Sequence, residues 1–211
     1  MTDDDTWNVY ERVWRRAEQE GAWVHYSEWS FTGEAGYFVS RFDDPHVQKP
    51  YITLIRRHHK EPPETPTRTI DPPSGVSQPD LAAELTTLAH EYGHLASFNG
   101  RTDRNVWLSY EATARKRTEI TDEANDADGD PRAWLLERLD DDDRARILSE
   151  EALAWKIGRE LVTSYGADAD FLALYDARTR TGLHSHRFRL GIDDLWPDDE
   201  TALLKPSSSP H

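Results

Sequence analysis

Residues 81–98 read LAAELTTLAHEYGHLASF, and this stretch predicts the helix around which the rest of the fold can be placed. Its apolar side chains recur at alternating spacings of four and three residues, the pattern of a helix with one buried face; they are Leu81, Leu85, Leu88, Tyr92 and Leu95. With about 100° of rotation per residue, His90 and His94 fall roughly 150° away from that apolar stripe. We therefore expect a helix that buries its leucines and turns both histidines toward a cleft.

The segment HEYGH at residues 90–94 has the HExxH spacing of helical zinc sites. Residues four positions apart share a helix face, so the imidazoles of His90 and His94 can bind one metal ion. Glu91 lies beside that face and can take a proton from a water molecule at the metal. The alternative is a pair of solvated histidines on an exposed face. Because both histidines lie opposite the apolar stripe, the zinc-site interpretation is favoured. It predicts one zinc ion per chain, with Glu91 as the catalytic residue.

The sequence before this helix predicts a small sheet. Residues 7–20 (WNVYERVWRRAEQE) have an apolar helical face and open the chain with an amphipathic helix. Three short segments rich in aromatic and β-branched residues follow within residues 22–58, and they predict three antiparallel strands. The next stretch, residues 61–79, carries six prolines and predicts a loop.

The sequence after the histidines predicts further helices. Helical patterns cover four segments, namely residues 106–117, 132–139, about 142–165 and 169–180. Between the first two of them, TDEANDADGDP (121–131) predicts an acidic surface loop. Beyond about residue 183 we expect irregular structure, and at residues 205–211 a frayed tail. The fold expected over residues 1–204 is a single α+β domain, in which a small antiparallel sheet packs on the HExxH helix and a second helix carries another metal ligand.

A hydrolytic zinc site needs a third protein ligand and leaves one position for water. In the long helix predicted at about 142–165, Glu150 and Glu151 both fall within the apolar arc. A buried carboxylate is costly unless it is paired or binds a metal. Either residue can be the third ligand on this argument, and the alternative is an ion pair with one of the many arginines.

Two stretches together, LTTLAHEYGHLASF (85–98) and EALAWKIGRELV (151–162), resemble the ImmA/IrrE-type metallopeptidases, a compact gluzincin-like family. The resemblance covers these two helices well and the preceding sheet loosely. The interval between the helices is longer than the family pattern and holds the acidic insertion at about 121–131. What the resemblance implies is proteolysis of a restricted protein substrate.

The resemblance also distinguishes the two adjacent glutamates. It implies that a Glu on a later helix is the third zinc ligand, followed by a small residue three positions on and an apolar residue six positions on. Glu151 fits this pattern through Ala154 and Ile157, whereas Glu150 is followed by Leu153, which is not small. Glu151 is therefore the expected ligand.

The composition narrows the choice of partners and compartment. A formal net charge of −15 repels phosphate backbones, which makes nucleic acid an unfavourable partner. The absence of cysteine excludes disulfides, Cys-bound zinc and thiol nucleophiles. The acidic start has no apolar signal segment, and no apolar run is long enough for a membrane span. A cytoplasmic protein without a membrane partner is expected.

Several further residues are candidates for supporting roles. A group that polarises the substrate carbonyl is expected near the metal, and the candidates are Tyr92, Tyr110, Tyr165 and His184. The pair His184 and His186 could chelate a metal on a strand, but a solvated C-terminal segment is the favoured interpretation. The segment Tyr51–Arg57 is the candidate edge strand for pairing with an extended substrate, with an ordinary sheet strand as the alternative.

Together these patterns predict a zinc metallopeptidase that hydrolyses peptide bonds in a restricted protein or peptide substrate. His90, His94 and Glu151 are the expected zinc ligands, and Glu91 is the expected general base. Two other functions fit the same residues. One is a catalytically inactive, metal-stabilised module that binds a protein, and the other is a zinc hydrolase of a non-peptide amide or ester.

Overall fold

The structure, a computed structural model, describes residues 1–27, 36–40, 49–55 and 78–193. These residues form six helices: α1 (Asp3–Gln19), α2 (Gln78–Gly100), α3 (Arg104–Asp126), α4 (Pro131–Arg138), α5 (Asp141–Ser164) and α6 (Ala169–Arg189). They also form three strands: β1 (Trp23–Ser27), β2 (Gly36–Val39) and β3 (Tyr51–Ile55). The predicted α+β class is confirmed.

The three strands form one mixed sheet in the order β1-β3-β2. β3 pairs with β1 in parallel, Trp23 opposite Tyr51, and with β2 in the antiparallel sense, Val39 opposite Tyr51. The prediction of a purely antiparallel sheet is therefore wrong for the pair β1 and β3. Because β3 lies between two strands, its backbone groups are used on both sides. The prediction that Tyr51–Arg57 supplies an edge strand is wrong over the described residues 51–55.

The described chain divides into two compact units, which we describe separately. The first unit comprises Met1–Gly100 with Leu153–Leu172, and the second comprises Arg101–Ala152 with Ala173–His211. The single domain over residues 1–204 stays a prediction. The predicted tail at 205–211 and the predicted loop up to residue 77 lie outside the described residues, and α2 begins at Gln78.

In the first unit, α2 packs against α1 and against the strands β2 and β3, while α1 also contacts β1. Ile52, Thr53 and Leu54 of β3 are all fully buried, and because successive side chains of a strand point to opposite faces, both faces of β3 are covered here. The helices contribute their apolar faces to the same core, through Tyr10, Val13, Ala17, Leu85, Leu88 and Leu95. Four members of the predicted apolar stripe of α2 are buried, namely Leu85, Leu88, Tyr92 and Leu95, whereas Leu81 near the start of the helix is only partly buried.

In the second unit, α3 packs against α4. Its core cluster consists of Ile120, Leu135, Leu139, Ile147 and Leu190, with Trp134 and Leu148 packed against it. Helix α4 begins at Pro131, and the side chain of Asp130 caps it by accepting a hydrogen bond of 3.0 Å from the backbone N–H of Arg132. The described residues of this unit form helices and no strand.

The acidic segment 121–131 is mostly helical, which corrects the prediction of a surface loop. α3 continues to Asp126 because Ile120 and Ala124, one turn apart, are both buried while the neighbouring acids stay exposed. The chain then turns at Asp128, whose φ of 51° is in the left-handed region. Two apolar anchors among many acids are enough to continue the helix.

The segment after residue 183 is also helical, which corrects the prediction of irregular structure. α6 runs to Arg189, and the next residue, Leu190, is buried in the core cluster of the second unit. The end of the helix is fixed by Arg187, whose guanidinium donates to the carboxylate of Asp193 at 2.8 Å. Among the described helices, none is both long and apolar enough to cross a membrane.

Candidate metal centre

Helix α2 places the HExxH residues side by side within the first unit. His90, Glu91 and His94 each offer one ligand atom, and these atoms all lie within 4.8 Å of one another. The imidazole rings of His90 and His94 have centroids 4.8 Å apart and are inclined at 74°. This spacing follows from the helix, because residues four apart are neighbours on its surface.

All three side chains are buried, with exposed fractions of 9% for His90, 6% for Glu91 and 6% for His94. The alternative of a solvated histidine pair on an exposed face is therefore wrong. A buried carboxylate beside two imidazoles is unfavourable unless positive charge or hydrogen bonds compensate it. The cluster is a buried group that could hold a metal ion, and its donor set of two imidazoles and a carboxylate is one that zinc accepts.

Trp155 of α5 covers the first histidine of the motif. Its indole is stacked on the His90 imidazole, with ring centroids 4.2 Å apart and planes inclined at 25°. Only 9% of Trp155 is exposed, so the stack lies inside the first unit. A ring held on one face loses much of its rotational freedom, which keeps the orientation of His90 fixed before any ligand arrives. No local sequence pattern singles out Trp155, although it directly follows the small residue Ala154.

Gly93, inside the motif, lies against the backbone of Ala154 on α5. A Cβ atom placed on Gly93 would stand 2.6 Å from the carbonyl carbon of Ala154 and closer still to its oxygen. Real Cβ atoms do not approach backbone atoms so closely, and only glycine fits between the two helices here. The contact with Ala154 brings Trp155, the next residue of α5, onto the face of α2 that carries His90.

Tyr92 points to the opposite side of α2, which removes it from the candidates for polarising the substrate. Its hydroxyl donates a hydrogen bond of 2.8 Å to Glu20, just after the end of α1. Burial, together with the neighbouring Glu20 carboxylate, raises the pKa of Tyr92 to about 12. The phenol is therefore neutral and fastens α2 to α1, a structural task.

The other three candidates for that role have different surroundings. In the first unit, Tyr165 follows the last residue of α5, and the Arg12 guanidinium lies 4.0 Å from the centre of its ring. At 1.5 Å per residue, Tyr165 is about 15 Å along the helix axis from Trp155, which places it far from His90. Tyr110 and His184 belong to the second unit, where Tyr110 contacts Trp107 and His184 lies 3.6 Å from Asp193. Their roles stay predictions.

The two candidate third ligands are both buried in the second unit, and they have different partners. Glu150, 3% exposed, forms an ion pair with Arg101. Glu151, 6% exposed, has its Oε2 atom 3.5 Å from Nε2 of His186 on α6. The ion-pair alternative considered for these residues thus applies to Glu150. The assignment of Glu151 as a zinc ligand stays a prediction.

His184 and His186 lie on α6 and are partly buried, so their interpretation as a solvated C-terminal segment is wrong. Their chelation of one metal on a strand is wrong as well, because the segment is helical. Residues two positions apart on a helix do not face each other. The two histidines instead contact different acids, Asp193 and Glu151.

No protein-family model, no curated protein and no solved structure matches the chain. The resemblance to the ImmA/IrrE-type metallopeptidases therefore stays a prediction, carried by the residues of α2 and α5 quoted above.

Proposed function

We propose that the protein is a zinc-dependent peptidase whose metal is held on α2. The observation that carries the proposal is the buried cluster of His90, Glu91 and His94, whose ligand atoms lie within 4.8 Å of one another. Imidazole nitrogen is a common zinc ligand, and two imidazole ligands together with one carboxylate ligand are typical of hydrolytic zinc sites. The absence of cysteine is compatible with a zinc site built from nitrogen and oxygen ligands.

The protein's own residues divide the work of hydrolysis. His90 and His94 bind through neutral imidazoles, and the indole of Trp155 keeps the His90 ring in one orientation. A zinc ion held there would supply a Lewis acid for the substrate carbonyl and a water molecule of lowered pKa. The Glu91 carboxylate accepts the proton of the attacking water and later delivers it to the leaving amine nitrogen. Burial of Glu91 strengthens this proton transfer by excluding competing water.

We further propose Glu151 as the third ligand, because Ala154 and Ile157 follow it in the way that the resemblance described above implies for that ligand, and because Glu151 is buried. The pairing of Glu150 with Arg101 gives the neighbouring glutamate a structural explanation of its own.

The metal content of the purified chain tests the proposal. Protein prepared without an affinity tag is expected to contain one zinc ion per chain, measured by mass spectrometry of the dissolved metal. The ion is expected to be lost in His90→Ala and in Glu151→Gln, because each variant removes one ligand. The matched control is Glu150→Gln, which changes the adjacent buried glutamate and is expected to keep its zinc.

Two results would contradict the proposal at different points. A wild-type chain that takes up no metal even when zinc is supplied would exclude the metal centre altogether. Zinc retained in Glu151→Gln but lost in Glu150→Gln would keep the centre and reassign its third ligand.

The substrate class needs a second measurement. A peptide library incubated with the zinc-loaded protein is expected to yield new amino termini, detected by mass spectrometry, at a limited set of sequences. Hydrolysis of small amides or esters with intact peptides would contradict the peptidase and favour the hydrolase of non-peptide bonds.

A further inference from the structure

A contact between two helices of the second unit involves the proposed third ligand. His186 lies near the end of α6, and its Nε2 atom is 3.5 Å from Oε2 of Glu151 on α5. The side chain of Glu151 is 7% exposed and that of His186 is 20% exposed. A carboxylate at this depth needs a partner that can hold a proton or a positive charge toward it. At 3.5 Å the two groups are within ion-pair range, and a small side-chain rotation brings them to hydrogen-bond distance.

We propose that His186 is a positioning residue that orients the Glu151 carboxylate for metal binding. The inference rests on the proposed function, since it assumes that Glu151 is a zinc ligand. A carboxylate that binds a metal through one oxygen is fixed in direction when a hydrogen-bond donor holds it from outside. Such outer partners contribute to metal affinity although they never touch the metal. Nε2 of His186 is the donor, and the oxygen that it faces is Oε2 of Glu151.

His184, two residues earlier on the same helix, is the natural comparison. Its Nε2 atom lies 3.6 Å from Asp193, an acid that is already bound by the guanidinium of Arg187. The side chain of His184 is 34% exposed, and the helix turns it away from the side that carries His186. The two histidines therefore share residue type, helix and type of partner, but only His186 faces the proposed ligand.

The experiment is a measurement of zinc affinity by competition with a chromogenic chelator. His186→Ala is expected to raise the zinc Kd by about 10- to 100-fold, the usual effect of losing such an outer partner. His184→Ala is expected to leave the Kd unchanged. His186→Gln keeps an N–H donor at similar reach and is expected to recover part of the lost affinity. It also carries the test if His186→Ala does not fold, as judged by circular dichroism of the zinc-free protein.

A double variant shows whether His186 acts through Glu151. A Glu151→Ala chain is not expected to keep its zinc through purification, so it is titrated with added zinc; the further change His186→Ala is expected to have no additional effect on its weakened Kd, because the group to be oriented is gone. An additional loss of about the size seen in the wild-type background would show that His186 binds zinc by itself and would overturn the inference.

The two proposals fail in distinguishable ways. Equal zinc affinity in wild type and His186→Ala would overturn the positioning role and leave the metal centre standing. A wild-type chain that binds no zinc would overturn the proposed function and, with it, the role of His186.

Discussion

Glu91→Gln is expected to lower peptide turnover by a factor of about 10² to 10⁴, the usual contribution of a general base. Gln has nearly the shape of Glu but cannot accept the proton of the attacking water. Zinc content is expected to stay at the wild-type level because His90 and His94 are unchanged. The measurement compares initial cleavage rates of a peptide identified from the library, with metal content determined on the same preparations.

Glu84→Gln is the matched control for this variant. Glu84 lies about two turns earlier on the same helix, where it accepts a hydrogen bond of 2.7 Å from the hydroxyl of Tyr10 on α1. Gln can accept the same bond, so cleavage is expected to continue at close to the wild-type rate. Full activity in Glu91→Gln would sink the proposed mechanism, and loss of zinc in that variant would make Glu91 a ligand instead.

Gly93→Ala is expected to destabilise the fold by about 3 kcal/mol or more, at the upper end of the range for overpacked interiors. The added methyl group would meet backbone atoms of Ala154 rather than a movable side chain, so one helix must shift. For a chain of this size the loss corresponds to a melting temperature lower by about 6–12 °C. Thermal unfolding followed by circular dichroism on zinc-free protein measures it without interference from metal binding.

Gly100→Ala provides the control at the end of the same helix. A Cβ on Gly100 would meet nothing within 4 Å, and its φ is not in the left-handed region. Replacing such a glycine by alanine reduces the entropy of the unfolded chain and is expected to keep or slightly raise the melting temperature. If Gly93→Ala melted together with Gly100→Ala, α2 and α5 would not approach each other as closely as described.

Patterns of local sequence were enough to predict α2 and the grouping of its three motif residues. Leu85, Leu88 and Leu95 are buried as predicted, and the three residues of the motif are close together because their spacing sets their positions on a helix. The same is true of α1 and of the positions of the three strands, where apolar periodicity within a short window carries the signal. The function of the motif is a separate question, which measurement of the metal content of the purified chain would begin to answer.

Pairing between strands could not be predicted in the same way. Local patterns identify the segments of β1, β2 and β3 but do not state which one lies in the middle. β3 occupies the central place and pairs in parallel with β1, whereas the sequence predicted antiparallel strands. Parallel pairing requires a crossover between strands that are distant in sequence, and no short-range signal records it.

The two wrong predictions for the segments at 121–126 and 184–189 both arose from their composition. Acids at 121–126 and basic residues with histidines at 184–189 suggested solvated coil, yet both segments are helical. A helix needs only a narrow apolar face, and Ile120 with Ala124 or the buried Leu190 beyond the helix end supplies enough contact. Partners such as Trp155 for His90 and His186 for Glu151 come from distant segments, so only the folded chain identifies them.

The close approach of Gly93 to Ala154 has a consequence for the evolution of this chain. Gly93 and Ala154 lie about 60 residues apart in the sequence but share one small volume, so the effect of a substitution at either position depends on the residue at the other. In related sequences, a larger residue at position 93 is expected only together with changes that move α5 outward. Substitutions in the histidine motif and in the segment EALAW, which carries Glu151 and Trp155, are thus expected to be interdependent.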